Sequence, residues 1–232
     1  MAALLVIPNR PQVVPGKGGC VAAVLPFRNA DKHRTSESNR FRSIPRLLPN
    51  GVYMQTFYEP DPGPDSPKTV RMAVEIPKDS SNKYEYDPSL GLFRLSRTLY
   101  SPMHYPGDYG FIPGTIAEDN EPLDILSMVT APSFTGCLVY VRPIAVLDML
   151  DGTEVDHKII AVPAHDPRYD KVGQMADLEP HVKRELEYFF QLYKDLEGRT
   201  MQTRSWGDRD EARRIIGESR TRHLQAAALT NS

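Results

Sequence analysis

The chain has 232 residues, 28 Lys and Arg against 30 Asp and Glu, a formal net charge of −2 and a composition ordinary for a globular protein. This length suffices for one substantial domain with a real core, or for one domain plus an extension. No apolar run approaches the ~18 residues that span a bilayer. Cys20 and Cys137 lie too far apart in sequence to indicate a disulfide framework or a zinc site, so we expect a reducing compartment.

Residues 1–50 differ in charge from the rest, because they hold eight of the basic residues but only two of the acidic ones. An acid-poor, arginine-bearing start with nearby serines and threonines is typical of organelle transit segments. Its prolines forbid a long amphipathic helix, which leaves an ordered or partner-binding extension as the alternative. We therefore expect residues 1–50 to address the chain to an organelle, either mitochondrion or chloroplast, with the cytoplasm as the alternative.

A proline-rich stretch at residues 51–68 predicts an extended linker, so a folded domain should occupy residues 69–225. Apolar and polar residues alternate from Val70 to Ile76, which is the period of a half-buried strand, and Glu75 then points away from the apolar face. Short strands follow at residues 83–86 and 91–97.

Turn formers and aromatic rings dominate residues 100–114, which predicts a loop packed by its own side chains. Tyr105 and Tyr109 lie four residues apart within it. On the residues alone, simple packing explains both.

Four carboxylates then lie within the seven residues Glu118–Asp124, at the start of an apolar strand-like run over Leu123–Val129. So much negative charge in one place costs free energy unless a cation lies among it. Carboxylate oxygens suit hard divalent cations, Mg²⁺ above all. A solvated acidic turn is the simpler alternative.

A hairpin follows, because the aliphatic run over Leu138–Leu150 leads into Asp151-Gly152 and a return strand over Val155–Val162. Asp156 and Lys158 are two residues apart on that strand and so project from one face. Two carboxylates and an ammonium should therefore meet beside the turn. A cross-strand salt bridge is the alternative to a functional site.

The last third has helical periodicity, with one helix after Asp177 as N-cap that ends at Gly198. A second helix begins at Asp208, with Glu211 three residues on as an Asp version of the capping box. Residues 226–232 should fray.

The collected charges form a site with an excess of three negative side chains, seven carboxylates against four cations. Four Mg²⁺ ions would bring this charge to about +5, enough to hold a small tetra-anion, which favours phosphate chemistry with several metals. The eleven residues are Glu75, Glu85, Asp119, Glu121, Asp124, Asp151 and Asp156 with Lys83, Arg97, Lys158 and Lys194.

Residues 119–125 read Asp-Asn-Glu-Pro-Leu-Asp-Ile and match, at all but one position, the signature of the family I soluble inorganic pyrophosphatases. Residues 70–218 resemble that family, especially its bacterial and plant-like branch. Matches outside the signature make the resemblance specific. They include Glu75-Ile76-Pro77, Lys83-Tyr84-Glu85, Arg97, Tyr105-Pro106, Tyr109-Gly110, Asp151, Asp156, Lys158, Ala161-Val162-Pro163, Tyr193-Lys194-Asp195 and Trp206.

The resemblance implies an α+β fold, a five-stranded barrel of OB-like topology with flanking helices, two of them near the C-terminus. It implies hydrolysis of inorganic pyrophosphate to two phosphates by roughly three to four Mg²⁺ ions and a metal-activated water. Asp119, Asp124 and Asp156 would hold the metals that flank this water, Asp151 would join Asp156 at a further metal, and Glu75 would ligate one that arrives with substrate.

The resemblance also implies roles for the remaining polar residues. Lys158 would stabilise the leaving phosphate, and Tyr109 would orient it by a hydrogen bond. The phosphoryl oxygens would be bound by Lys83, Arg97, Tyr193 and Lys194, and the pocket would be supported by Tyr105 and Glu85.

Glu121 is the departure from the signature, which has Asp at the position thought to accept the proton of the attacking water. One extra methylene displaces this base by roughly 1 Å, so we expect slower turnover than in relatives.

The expected partners are pyrophosphate and further copies of the chain in a homo-oligomer, with no nucleic acid and no membrane span. The alternative function is a weak or inactive subunit of a larger assembly that uses residues 1–50 as a docking arm. A phosphoprotein or nucleotide phosphatase is a third option, disfavoured because no base-binding motif is evident.

Overall fold

The structure is a computed structural model and describes residues 46–47, 53–54, 57–58 and 60–230. Nearly all of the predicted targeting segment lies outside these residues, so its role stays a prediction. Part of the predicted linker contacts the folded domain, since Arg220 donates a hydrogen bond to Asp61 at 2.6 Å. The domain boundary predicted at residue 69 also stays a prediction.

Ten strands and two α-helices make up the described part of the chain. The strands are β1 (Arg46–Leu47), β2 (Tyr53–Met54), β3 (Val70–Ile76), β4 (Asn82–Asp87), β5 (Leu92–Thr98), β6 (Asp108–Phe111), β7 (Asp124–Ser127), β8 (Leu138–Asp151), β9 (Glu154–Pro163) and β10 (Met201–Gly207). The helices are α1 (Pro180–Leu192) and α2 (Arg209–Thr230). No helix in the described ranges is long and apolar enough to cross a membrane.

Five strands close into a ring, in the order β8, β3, β6, β7 and β9, with β9 pairing again with β8. The β7–β9 pair is parallel and the other four pairs are antiparallel. Strand β10 extends the sheet at β8, while β4 and β5 form a separate hairpin. The prediction of an α+β fold is confirmed, and the ring is consistent with an OB-like barrel.

The length of β8 makes the closure possible. Its first residues pair with β3, its last residues pair with β10, and β9 runs beside it from Val141 to Asp151. A register shift between Pro143 and Ala145 bends the strand so that it serves all three partners.

The two helices cover different parts of the core. Helix α1 buries Leu186, Phe189 and Phe190 in a cluster that includes Tyr105 and Tyr109. Helix α2 buries Ala212, Ile215 and Ile216 in a second cluster with residues of β3, β7, β8 and β9. The apolar stripe of each helix therefore faces the sheet, as the helical spacing predicts.

The prediction of a loop over residues 100–114 is wrong for residues 108–111, which form the fully buried strand β6. Gly110 suggests a turn in the sequence, but it lies opposite β3. A Cβ built on Gly110 would approach the carbonyl oxygen of Ala73 to 2.0 Å. The glycine permits close strand contact rather than chain reversal.

The helix boundaries also differ from prediction. Helix α1 begins at Pro180 after Glu179, and Asp177 instead accepts hydrogen bonds from the N–H groups of Gly173 and Gln174. It ends at Leu192, and Gly198, with φ of 73°, closes a short 3-10 turn over Asp195–Glu197.

The N-cap predicted for the second helix is confirmed, because Asp208 accepts from the N–H groups of Asp210 and Glu211. Helix α2 continues through Thr230, so fraying of residues 226–232 stays a prediction about motion. Strand β10 was not predicted, since it lies at a sheet edge and its residues are mostly polar.

Candidate active site

The ammonium of Lys158 lies at the centre of the site, between two carboxylates. It forms ion pairs with Asp124 and, at 2.6 Å, with Asp156, and it donates to the hydroxyl of Tyr109 at 3.2 Å. Tyr109 in turn donates to Asp124 at 2.5 Å. These four predicted residues therefore form one hydrogen-bonded cluster.

The strand register explains why this central cluster forms. In the β6–β7 pair, Tyr109 faces Leu126, so Asp124 lies diagonally across on the same face. The parallel β7–β9 pair aligns Ile125 with Ile159 and so places Asp124 beside Lys158. Asp156 precedes Lys158 by two residues on the same face of β9.

Electrostatics fix the protonation of Lys158 and Tyr109. Burial disfavours the Lys158 ammonium, but the charges of Asp124 and Asp156 outweigh burial and hold its pKa well above the usual value. Burial, reinforced by the charge of Asp124, raises the pKa of Tyr109, which therefore stays a donor. The cluster thus presents one cation, one hydroxyl and two carboxylates.

An aromatic wall formed by Tyr105, Tyr193 and Phe189 of α1 packs against Tyr109 of the central cluster. The ring of Tyr105 lies 5.4 Å from that of Tyr109 and 4.9 Å from that of Phe189, and Tyr193 stacks on Phe189 at 5.2 Å. Tyr105 and Tyr193 are buried, and burial raises the pKa of each hydroxyl. Both predicted tyrosines thus border the central cluster as neutral hydroxyls.

Asp151 is held by two cations at the end of β8. It accepts from Lys194 at 2.8 Å and from Arg199 at 2.5 Å. Partial burial would raise the pKa of Asp151, but the hydrogen bonds and charges of these cations prevail and hold it below the usual value. Arg199 was not predicted, because no pattern marks a single arginine in an exposed turn.

Asp119 and Glu121 lie at the rim of the site in a turn where Asn120 has φ of 67°. The N–H of Glu121 donates to Asp119 at 2.9 Å. Both side chains reach solvent, but partial desolvation raises both pKa values. The charge of Asp124 raises both further, and that of Asp119 adds to the shift at Glu121. The rim therefore combines partial burial with repulsion between like charges.

Glu75 lies beneath the β4–β5 hairpin, where its carboxylate accepts from the N–H of Tyr86 at 2.8 Å. Desolvation, with the charge of Asp124, raises the pKa of Glu75 to about 8. Glu85 in the same hairpin differs, because Lys83 at 2.9 Å and Arg94 at 2.7 Å overcome partial burial and lower its pKa. Tyr86, which positions Glu75, was not predicted.

Arg97 is fixed at the end of the hairpin by a residue that the sequence did not single out. Its Nε donates to Glu197 at 2.8 Å, across 100 positions of the chain. The Nη2 group of Arg97 is buried and has no hydrogen-bond partner among the described residues. The predicted phosphoryl-binding arginine therefore retains an unused donor.

The carboxylates suit a hard divalent cation, although no three acidic, His or Cys side chains in the described ranges converge into a ready metal centre. Lys158 lies between Asp124 and Asp156, so both carboxylates are paired with a protein cation. Asp119, Glu121 and Glu75 have raised pKa values, chiefly because each is partly or fully buried and also because the charge of Asp124 is near. The donor set is all oxygen, so it fits Mg²⁺.

Comparison with known proteins identifies the family. The sequence model described as inorganic pyrophosphatase matches residues 72–224. The inorganic pyrophosphatase of Halalkalibacterium halodurans is 44% identical over 157 residues, 68% of this chain and 96% of that protein. The one from a Nostoc species is 42% identical over 158 residues, 68% of this chain and 94% of that protein.

A solved structure of an inorganic pyrophosphatase has a similar fold. The crystal structure of inorganic pyrophosphatase from Thermus thermophilus superposes with a TM-score of 0.72 and 39% sequence identity, and the match covers 73% of this chain and 99% of that one. The signature around Asp119 and the closed five-stranded ring therefore have one explanation. The chain belongs to the inorganic pyrophosphatase family.

Proposed function

We propose that the chain hydrolyses inorganic pyrophosphate to two phosphates with Mg²⁺ as the metal. The observation that carries the proposal is the buried Lys158 ammonium between Asp124 and Asp156, beside the rim carboxylates Asp119 and Glu121. A cation of the kind that stabilises a phosphoryl oxygen and oxygen ligands for divalent metals then lie side by side. Family membership supports the same reaction.

Three carboxylates, Asp119, Asp124 and Asp156, would hold the metals next to the attacking water. Asp151 would join Asp156 at a further metal, and Glu75 would ligate one that enters with substrate, for roughly three to four Mg²⁺ ions per site. When bound, divalent cations lower the pKa of the attacking water and neutralise phosphoryl charge.

Glu121 would accept the proton of the water, and its raised pKa suits a general base. Lys158 would neutralise the charge that develops on the leaving phosphate, while the hydroxyl of Tyr109 donates to it. Tyr105 packs beside Tyr109, and Glu85 holds Lys83, so these two residues support the pocket.

Four further residues would bind the phosphoryl oxygens at the edge of the site, namely Lys83, Arg97, Tyr193 and Lys194. Arg97 retains an unused N–H donor, and Tyr193 is part of the aromatic wall.

Phosphate release from pyrophosphate by the full chain, with and without Mg²⁺, tests the proposal. We expect Mg²⁺-dependent turnover in the parent and its loss in Asp124→Asn, with circular dichroism as the control for folding. A folded parent that binds Mg²⁺ but releases no phosphate would overturn the proposal and favour a structural subunit of a larger assembly.

We also propose that residues 1–50 address the chain to a mitochondrion or chloroplast and that the chain forms homo-oligomers. The acid-poor composition of residues 1–50 supports the address. Fusion of residues 1–50 to a fluorescent protein tests it, because diffuse cytoplasmic fluorescence would contradict it. Light scattering of the purified chain measures its oligomeric state.

A further inference from the structure

The turn after α1 carries several charged residues that reach the candidate site from one short segment. Lys194 and Arg199 both bind Asp151, and Glu197 binds Arg97. Hydrogen bonds from the N–H groups of Glu197 and Arg199 to the carbonyl of Lys194, at 3.0 and 3.2 Å, fix the shape of the segment. The direction of the Glu197 side chain is therefore set by the turn.

Glu197 links two parts of the molecule that share no sheet. Arg97 belongs to the β4–β5 hairpin, which is separate from the closed ring, and Glu197 belongs to the turn that follows α1. Their ion pair is partly buried, with side-chain exposures of 23% for Arg97 and 12% for Glu197. Because a half-buried pair is screened less than a surface pair, it can hold the guanidinium in one orientation.

The contact with Glu197 uses only the Nε group of the guanidinium. Glu197 accepts from Nε, while Nη2 is buried and has no partner in the described part of the chain. A buried donor without an acceptor costs free energy that an incoming anionic oxygen would recover.

We infer that Glu197 is a positioning residue that aims the Nη2 group of Arg97 at a phosphoryl oxygen of the diphosphate substrate. The inference rests on the proposed function, because it assigns a task to an arginine that would bind that substrate. Glu197 itself contacts no substrate in this scheme. It acts by restricting the rotamers of the Arg97 side chain before the substrate binds. Without Glu197, the substrate itself would have to order this side chain, and the lost entropy would weaken binding.

A double-mutant cycle tests this by calorimetric binding of imidodiphosphate, a non-hydrolysable diphosphate analogue, to the full chain in Mg²⁺. We expect Glu197→Ala to weaken binding about 10-fold and Arg97→Ala to weaken it at least as much. In the double variant, the loss should equal that of Arg97→Ala alone to within about twofold, because Glu197 acts only through Arg97. Losses that multiply would overturn the inference.

The matched control is Asp195→Ala, which removes the same charge from the same turn at an exposed position that does not contact Arg97. Binding should stay within about twofold of the parent. If Asp195→Ala weakens binding as much as Glu197→Ala, the effect is the net charge of the turn and the inference fails.

Glu197→Gln covers the case in which Glu197→Ala does not fold. Its amide oxygen still accepts from Nε, so binding should fall between the parent and Arg97→Ala, and steady-state kinetics should show the change in KM more than in kcat. A parent that neither binds the analogue nor releases phosphate would overturn the proposed function. A parent that does both, with Glu197 variants indistinguishable from it, would overturn only this inference.

Discussion

The carboxylates at the two ends of the candidate site differ in their ion pairs and in the direction of their pKa shifts. At the paired end, Asp151 is bound by Lys194 and Arg199, and its pKa is lowered. At the open rim, Asp119 and Glu121 have no ion pair within the described chain, and their pKa values are raised. At the paired end the protein itself supplies the counter-charge, whereas the described chain supplies no ion-pair partner to the carboxylates of the open rim.

Lys158 lies in the central cluster, between the paired end and the open rim. Its ammonium forms ion pairs with Asp124 and Asp156 but with neither Asp119 nor Glu121 at the rim. The difference concerns the metal-free protein, because Mg²⁺ at Asp124, Asp151 or Asp156 would compete with a protein cation, whereas Mg²⁺ at the rim would not. Four predictions test this contrast, and the largest effect is expected at Lys158.

Replacing Lys158 with Met keeps a long apolar stem and removes the buried cation. We expect phosphate release to fall by about 10²-fold or more, because charge on the leaving phosphate is no longer neutralised. In EDTA, urea unfolding should show a loss of about 2 kcal/mol, because Asp124 and Asp156 become unbalanced.

Lys171→Met, at an exposed position, is the matched control and should change neither quantity. Mg²⁺ should recover part of the stability of Lys158→Met, because the ion replaces the lost charge. A variant as stable as the parent in EDTA would show that Lys158 does not balance the central carboxylates.

Glu121→Asp shortens the expected base at the open rim by one methylene. Turnover should rise on the order of 10-fold, because the carboxylate moves closer to the position that the family signature has. Initial rates at saturating Mg²⁺ measure this, with Glu118→Asp at the exposed start of the same cluster as control. An unchanged or lower rate in Glu121→Asp would sink the idea of a slowed enzyme.

Glu75 predicts a pH dependence of the metal-free protein. Its pKa is about 8 in the folded state and near 4.5 when unfolded. The stability that its folded-state proton supplies is therefore complete below pH 4.5 and is lost as the pH rises through 8, since only the unfolded chain releases the proton early. Glu75→Gln should abolish this loss and raise the melting temperature at pH 9 by about 5 °C relative to the parent.

Thermal unfolding in EDTA at pH 5 and pH 9 measures the effect. Glu85→Gln is the contrasting control, because the pKa of Glu85 is lowered by its cations and its charge should stabilise the fold at pH 9. If the difference between Glu75→Gln and the parent is the same at both pH values, the carboxyl is ionised throughout and the prediction fails.

Much of the fold was predictable because it depends on local patterns. The strand β3 follows from period-2 alternation, and β8 and β9 follow from aliphatic runs on either side of Asp151-Gly152. Strand β6 was missed because Gly110 suggests a turn. The structure shows instead that the glycine is needed for the close contact of β6 with β3. A contact between distant segments leaves no period in the sequence.

The candidate site divides in the same way. Asp156 and Lys158 share a face of one strand, so their proximity was predictable from spacing alone. The contact of Glu197 with Arg97 and that of Tyr86 with Glu75 depend on how the hairpin folds over the ring. Spacing predicts neighbours within an element, whereas partners across elements require the register and the fold.

The smallest effect is expected at the paired end, from Arg199→Ala. The arginine side chain is 56% exposed, and Asp151 keeps its hydrogen bond to Lys194. Urea unfolding should therefore change by less than about 1 kcal/mol, as for other exposed ion pairs. A loss comparable to that of Lys158→Met would mean that the paired end depends on both cations, and the contrast with the open rim would then be one of degree.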